Sequence, residues 1–289
     1  KDNLSNPNDT DNISEINDDS GNKLVIDGDN ETKRDIVHLE YGAGEINCVG
    51  DIDKVCLKNN ENCVDMLLLE SVKQSQLISN SDFDGILGLS IGIQGLDYKS
   101  NILNTLYDNN LIKNKAYSLY ISDIKNDSSI LTIGGYNKKY FEKMMYFKLF
   151  SDEYWEIEIS KVMIGDFVLP ICNLNVCTVL LDSGTKKLGL KKDNFDKVMS
   201  FTKSKTSNST CFLQNIRIFL KDIEDKEIEL TLEPEYFSKN CEMEILSLEA
   251  LEYNDRDIFL LGNQFMKKYY SLFDKDKNII GLALSKTKH

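Results

Sequence analysis

Val179-Leu180-Leu181-Asp182-Ser183-Gly184-Thr185 is the stretch on which the reading of this chain turns. Three apolar residues lead into an acid, followed by a small hydroxyl residue, a glycine and a second hydroxyl. The apolar run predicts a buried strand. Gly184 permits a turn that a side chain would obstruct. Ser183 and Thr185 offer hydroxyls near the carboxylate. The segment therefore suits an acid held rigidly at a strand end in a partly dry place. Taken alone, it reads more readily as an exposed Asp-Gly-type turn, so its neighbours must decide.

Outward from this point, short β-type runs alternate with Gly, Asn and Asp turns. They include Ile36–Tyr41, Cys63–Leu69, Ala116–Ser122, Ile130–Ile133, Met144–Leu149, Trp155–Met163, Phe167–Ile171, Ile216–Leu220, Ile228–Leu232, Ile258–Leu261, Ser271–Asp274 and Ile279–Ala283. Helices are few. Ser100 is placed to cap Ile102–Leu111, Asp193 to cap Phe195–Thr202, and Asn263 to cap Gln264–Lys268. The class is mostly β, in two stretches of similar texture that meet near Leu149–Glu153. Residues 1–35 are rich in Asn, Asp and Ser without periodicity, and read as a disordered acidic arm or a long insertion.

Composition narrows the function. The 289 residues carry a net charge of −13, a balance that disfavours nucleic-acid binding. The sequence has no apolar run long enough to predict a membrane span, and no signal peptide is visible at Lys1. Nothing implies a nucleotide cofactor, and with two histidines and no Cys-x-x-Cys a zinc site is disfavoured. Of seven cysteines, Cys56 with Cys63, Cys172 with Cys177, and Cys211 with Cys241 have spacings that suggest pairing. Cys48 is left over, as a buried thiol or one with a partner elsewhere. Asn-x-Ser/Thr sequons stand at Asn3, Asn8, Asn12, Asn30, Asn126 and Asn208, several of them expected by chance in so Asn-rich a chain. Gly88-Leu89-Ser90-Ile91-Gly92 imitates a hydrolase elbow, but the alternating α/β pattern it needs is missing and the only later histidine is His289. His38 reads as a strand residue.

Several motifs, in order, resemble the pepsin family of aspartic proteases over roughly residues 36 to 285. Tyr41-Gly42-Ala43-Gly44 resembles the family flap. Asp82-Phe83-Asp84-Gly85-Ile86-Leu87-Gly88-Leu89 resembles the segment that threads behind the first active-site loop, and Phe259-Leu260-Leu261-Gly262-Asn263 its second-lobe counterpart. Ile133-Gly134-Gly135, Tyr154-Trp155-Glu156-Ile157, and Phe265 to Asp274 followed by Ile280-Gly281-Leu282-Ala283 match later landmarks, and Cys172–Cys177 falls where a family disulfide does. The resemblance implies a bilobal pepsin-like fold with an incomplete N-terminal lobe. Residues 36–150 would be the remainder of that lobe with its flap, and 151–289 the C-terminal lobe. It implies an aspartic endopeptidase without a cofactor, acting on peptide or protein substrates. Asp182 would be the second-lobe catalytic aspartate, and Tyr41, Gly42, Gly44, Gly184 and Thr185 would serve the flap and substrate site. Asn- and Lys-rich usage makes a plasmepsin-like enzyme of a malaria parasite the nearest resemblance, in the secretory pathway, a vesicle or outside the cell.

The same comparison sets an expectation of incompleteness. The first-lobe Asp-Thr-Gly or Asp-Ser-Gly belongs some forty residues before the flap tyrosine, and so upstream of Lys1. Val25-Ile26-Asp27-Gly28 lacks the intervening hydroxyl residue, and Asp27 reads as a turn acid. On this reading the chain alone is inactive, and its partner is the missing N-terminal segment of the same protein. The strands that segment would cover should show open edges and bare apolar faces. A non-catalytic peptide-binding protein is the alternative. A further departure is Lys186-Lys187 after Thr185. The first lysine stands either near the substrate pockets, where it would favour acidic side chains, or in solvent.

Overall fold

β-Branched and aromatic residues crowd the segments that pair, and strands dominate the result. The computed structural model describes residues 13–17, 23–27, 36–41, 44–58, 61–92, 101–122, 124, 127–172, 176–203, 213–248 and 256–286. The chain divides into two compact units, Lys1–Leu111 and Ile112–His289.

The first unit holds β1 (Ile13–Asn17), β2 (Lys23–Asp27), β3 (Ile36–Tyr41), β4 (Gly44–Lys58), β5 (Glu61–Gln74), α1 (Gln76–Ser79) and α2 (Ile102–Asp108). Its five strands form one antiparallel sheet in sequence order. Within residues 1–35, read in the sequence as a disordered acidic arm or a long insertion, Ile13–Asn17 and Lys23–Asp27 contribute β1 and β2 to this sheet. β4 and β5 form a long hairpin closed by the Cys56–Cys63 disulfide, and those two residues face each other in the register. A register shift falls between Asn47 and Cys48, and Cys48 is a buried free thiol. Burial pushes its pKa up, so the native protein should resist a maleimide reagent at pH 8 and react once unfolded. Mass-spectrometric counting of labelled thiols checks this. His38 lies on β3, its Nδ1 2.6 Å from Asn47 Oδ1. α2 is capped by Asn101, whose side chain accepts from the backbone N–H of Leu103 and of Asn104. Ser100, the expected cap, lies outside the described residues.

The second unit holds β6 (Ala116–Tyr120), β7 (Ile130–Ile133), β8 (Met145–Lys148), β9 (Glu156–Ile164), β10 (Phe167–Val168), β11 (Val176–Leu181), β12 (Leu188–Lys191), α3 (Lys192–Lys203), β13 (Ile216–Lys221), β14 (Glu227–Leu232), α4 (Pro234–Phe237), β15 (Ser238–Lys239), β16 (Glu242–Met243), β17 (Ile245–Leu248), β18 (Arg256–Leu261), α5 (Asn263–Lys268), β19 (Tyr269–Asp274) and β20 (Ile279–Leu284). One sheet runs β14-β13-β9-β11-β18-β12-β17, with β10 paired to β9. A second runs β7-β6-β19-β20-β8, and β15 with β16 makes a small ribbon.

The second of these sheets accounts for a compact unit that begins at Ile112, whereas the sequence shows two stretches of similar texture meeting near Leu149–Glu153. β6 pairs with β19 through Leu119↔Ser271 and Tyr117↔Phe273, and β8 pairs with β20. Residues 112–150 therefore belong structurally with the end of the chain. All six residues of β19 are buried. Sealing a side chain such as Phe273 or Leu272 contributes about 1.5–3 kcal/mol. Polar groups in this core are matched: Tyr270 donates its hydroxyl to Ser118 Oγ at 2.6 Å, Ser118 donates to the Gly135 carbonyl at 2.8 Å, and Tyr270 accepts from the Asn137 N–H at 3.0 Å.

Three local expectations shift. The Phe167–Ile171 strand shortens to β10 because Pro170 has no N–H for the ladder. Asp193 sits inside the first turn of α3 rather than before it. Asn263 is the first residue of α5, and Gly262 takes the cap position.

Candidate active site

β11 ends at Leu181, and the chain turns at once. Leu181 donates its N–H to the Trp155 carbonyl at 3.0 Å, and Asp182 donates to the Leu261 carbonyl at 3.1 Å. The acid is thus pinned between β9 and β18. β11 lies parallel to β18 along its whole length, with Leu181 opposite Leu261. The apolar run buries the strand, as its composition dictates, and Asp182 emerges half-buried at its end.

The turn is built around the carboxylate. Asp182 Oδ1 accepts the Gly184 N–H at 2.8 Å, and Oδ2 accepts the Thr185 hydroxyl at 2.5 Å. Each oxygen therefore has one donor, an arrangement that orients the carboxylate. Ser183 is exposed. Downstream, the Thr185 carbonyl accepts the Asn263 N–H at 2.8 Å and the Lys186 carbonyl accepts the Gln264 N–H at 3.0 Å. Gln264 closes the arrangement by accepting the Leu188 N–H on its side-chain oxygen at 3.1 Å. A Cβ on Gly262 would overlap the carbonyl oxygens of Thr185 and Lys187. The Asp182 turn therefore lies directly on Gly262, with no room for a side chain between the two backbones.

Tyr117 lies close enough to Asp182 to feel its charge. Its buried ring stacks on Phe273 at 4.6 Å between centroids and meets Trp155 edge-on at 5.8 Å. Burial, and secondarily the charge of Asp182, raise its hydroxyl well above the ordinary phenol range. The neutral phenol is the folded form, so stability from this site is intact below the ordinary tyrosine pKa near 10 and falls as pH climbs past it. Tyr117→Phe should keep the stack and change stability by less than about 1.5 kcal/mol. Tyr117→Ala should cost about 3–5 kcal/mol. Thermal melts of the two variants check the difference.

Of the residues expected to form the site, Asp182, Gly184 and Thr185 come together. Tyr41 and Gly44 stand opposite each other where β3 turns into β4 in the first unit, and Gly42 lies outside the described residues. Gly44 has φ +134°, and a Cβ there would collide with the Ser75 side chain, so this hairpin base needs glycine. Cys172–Cys177 is a disulfide. Cys241 is disulfide-bonded too, while Cys211 lies outside the described residues.

The two threaded segments differ sharply in burial. Phe259, Leu260 and Leu261 are 1%, 5% and 0% exposed. In the first unit Phe83, Ile86 and Leu87 are 51%, 55% and 48% exposed, and Gly85–Gly88 forms no strand. The same kind of sequence is buried where β11 and β12 flank it and bare where no such neighbours are present among the described residues.

Sequence reasoning missed three things here. Nothing in a strand pattern marks Tyr117 as a residue that feels the charge of Asp182. The hydrogen bond from Leu188 to Gln264 joins residues 76 apart. A second Asp-Ser-Gly triplet, Asp19-Ser20-Gly21, escapes a search guided by spacing because it stands only 22 residues before Tyr41. It lies outside the described residues.

The description "eukaryotic aspartyl protease" matches residues 29–285. The chain belongs to this family. The eukaryotic aspartyl protease match begins after Asp19. Among curated family members, the chain is 26% identical over 271 residues to plasmepsin VI of Plasmodium berghei, covering 86% of this chain and 60% of that protein. It is 26% identical over 268 residues to plasmepsin IV of Plasmodium falciparum, covering 86% of this chain and 57% of that protein. Bovine chymosin is 24% identical over 252 residues, covering 85% of this chain and 65% of that protein. The chain thus spans about three-fifths of the length of these eukaryotic aspartyl proteases. Its mostly-β architecture is consistent with the pepsin-like fold of the family. Among the described residues, no helix is long and apolar enough to cross a membrane and no group of His, Cys, Asp and Glu could hold a metal ion.

Proposed function

We propose that the protein is an aspartic endopeptidase in which Asp182 is one of two catalytic carboxylates. The observation that carries this reading is the Asp182 turn, where each carboxylate oxygen has its own donor and the backbone is seated on Gly262. A rigid, half-buried carboxylate of this kind suits shared-proton chemistry. Two such acids a few ångström apart hold one proton between them, because like charges resist double ionisation. One takes a proton from water as the other donates to the peptide carbonyl oxygen.

The second carboxylate, on this proposal, comes from the same protein outside residues 1–289, and residues 1–289 alone are inactive. The bare face of Phe83, Ile86 and Leu87 supports this, since the similar apolar run Phe259–Leu261 in the second unit is buried by flanking strands. Peptide or protein substrates would bind extended, with the β3–β4 hairpin as the flap that excludes water. The disulfides at Cys56–Cys63 and Cys172–Cys177 support passage through an oxidising, secretory or vesicular compartment.

The test is hydrolysis of an extended peptide at acidic pH by the complete protein, with a statine-type inhibitor as control. Inhibitable cleavage that is lost in Asp182→Asn and kept in Asp19→Asn is the expected result. Cleavage by residues 1–289 alone that disappears in Asp19→Asn would instead place the partner acid within this sequence. Peptide binding by the complete protein without turnover would overturn the enzyme reading.

A further inference from the structure

The chain is acidic overall, yet four lysines crowd the turn, strand and helix start that follow Asp182: Lys186, Lys187, Lys191 and Lys192. Three of them have partners. Lys187 faces Glu244 at 3.4 Å. Lys191 donates to the Arg256 carbonyl at 2.7 Å. Lys192 pairs with Asp196 at 3.0 Å on α3. Lys186 is exposed and has no acidic partner among the described residues.

Its backbone is nevertheless fixed. The carbonyls of Thr185 and Lys186 are held by the N–H groups of Asn263 and Gln264. Leu188 is buried and Lys187 is engaged with Glu244. The side chain of Lys186 is therefore left to solvent four residues after the acid, on the turn that carries it. Lys186 thus carries an uncompensated charge on the turn that holds Asp182.

We infer that Lys186 is a specificity-determining residue and that the preferred substrates carry an acidic side chain close to the scissile bond. The inference rests on the endopeptidase reading above. A peptide laid along the Asp182 turn brings one of its side chains to this ammonium. The covering peptide displaces water, which strengthens the attraction relative to an open surface pair. A glutamate supplies the missing counter-charge and its glutamine isostere does not. The preference depends on ionisation of the substrate acid. It should grow as pH rises through the ordinary glutamate range near 4.3 and shrink with added salt.

The experiment uses the complete protein and matched peptides in which Glu or Gln is placed in turn at each position flanking the cleavage site, assayed at pH 5.5 and low salt. The expected result is one position where Glu raises kcat/KM about fivefold over Gln. That ratio falls to one in Lys186→Met and inverts in Lys186→Glu, while Lys192→Met keeps it. Binding of the same peptides by Asp182→Asn should show the same ratio, so the inference can be read even without turnover. Asp182-dependent cleavage with no Glu preference, or a preference that survives Lys186→Met, overturns the role of Lys186 and leaves the protease reading standing. Absence of any Asp182-dependent cleavage sinks the protease reading, and the binding ratio then decides Lys186 by itself.

Discussion

Asp182→Asn should lower peptide hydrolysis by the complete protein about 10²- to 10⁴-fold while leaving it folded. The substitution is nearly isosteric, and the turn can accept it. The asparagine carbonyl can still take the Gly184 N–H now bonded to Oδ1, and its amide can donate to the Thr185 hydroxyl, which would reverse from donor to acceptor. Melting temperature and circular dichroism should therefore change little. What disappears is the ability to take up and release a proton at this atom. The partner carboxylate would then stand without the like charge that raises its affinity for the shared proton. The pH–rate profile of any residual activity should thus lose its upper limb. Activity that survives the substitution undiminished would refute the role given to Asp182.

Gly262→Ala should destabilise the second unit by about 3 kcal/mol or more, at the upper end of what overpacking costs. The atoms in the way are the backbone carbonyls of Thr185 and Lys187, and no rotamer change can move them aside. Gly189 offers a contrast, because a Cβ there would meet only the flexible Leu248 side chain. Relief at Gly262 requires lifting the Asp182 turn off the end of β18. That strains the bonds from Asn263 and Gln264 to the Thr185 and Lys186 carbonyls. A displacement of about 1 Å at a reacting carboxylate can cost roughly 10²-fold in rate. Gly262→Ala should therefore lower both the melting temperature and kcat, whereas Gly189→Ala should leave kcat nearly unchanged. Equal, small effects from both would show that the turn does not depend on that close approach.

Much of the architecture was legible in short windows. β11, β18, β19 and β20 are dense runs of apolar and aromatic residues, and a strand was the only reasonable expectation for them. β4 was not legible, because Asp, Asn and Lys interrupt Gly44–Lys58 and only its pairing with β5 makes it a strand. The caps of α2 and α5 moved by one residue, because neighbouring polar residues compete for the same N–H groups and the surrounding packing selects among them. Asp182 was found because its triplet lies within seven residues of sequence. Tyr117 and Gly262 acquire their roles from contacts with segments far along the chain, which no local pattern records.

The sequence by itself determined that Asp182 follows a buried strand, that the landmarks fall in the order of one protease family, and that a lysine pair follows the Asp182 turn. Tertiary structure decided which lysine is left without a counter-charge, why Gly262 cannot carry a side chain, and which apolar run is sheltered. The physical reason is that burial and close approach belong to pairs of segments. Phe259 and Phe83 sit in similar strings of residues, and only the presence of β11 and β12 beside the first makes it core. Asp182 is likewise an ordinary acid before a serine and a glycine until β9 and β18 grip the end of its strand.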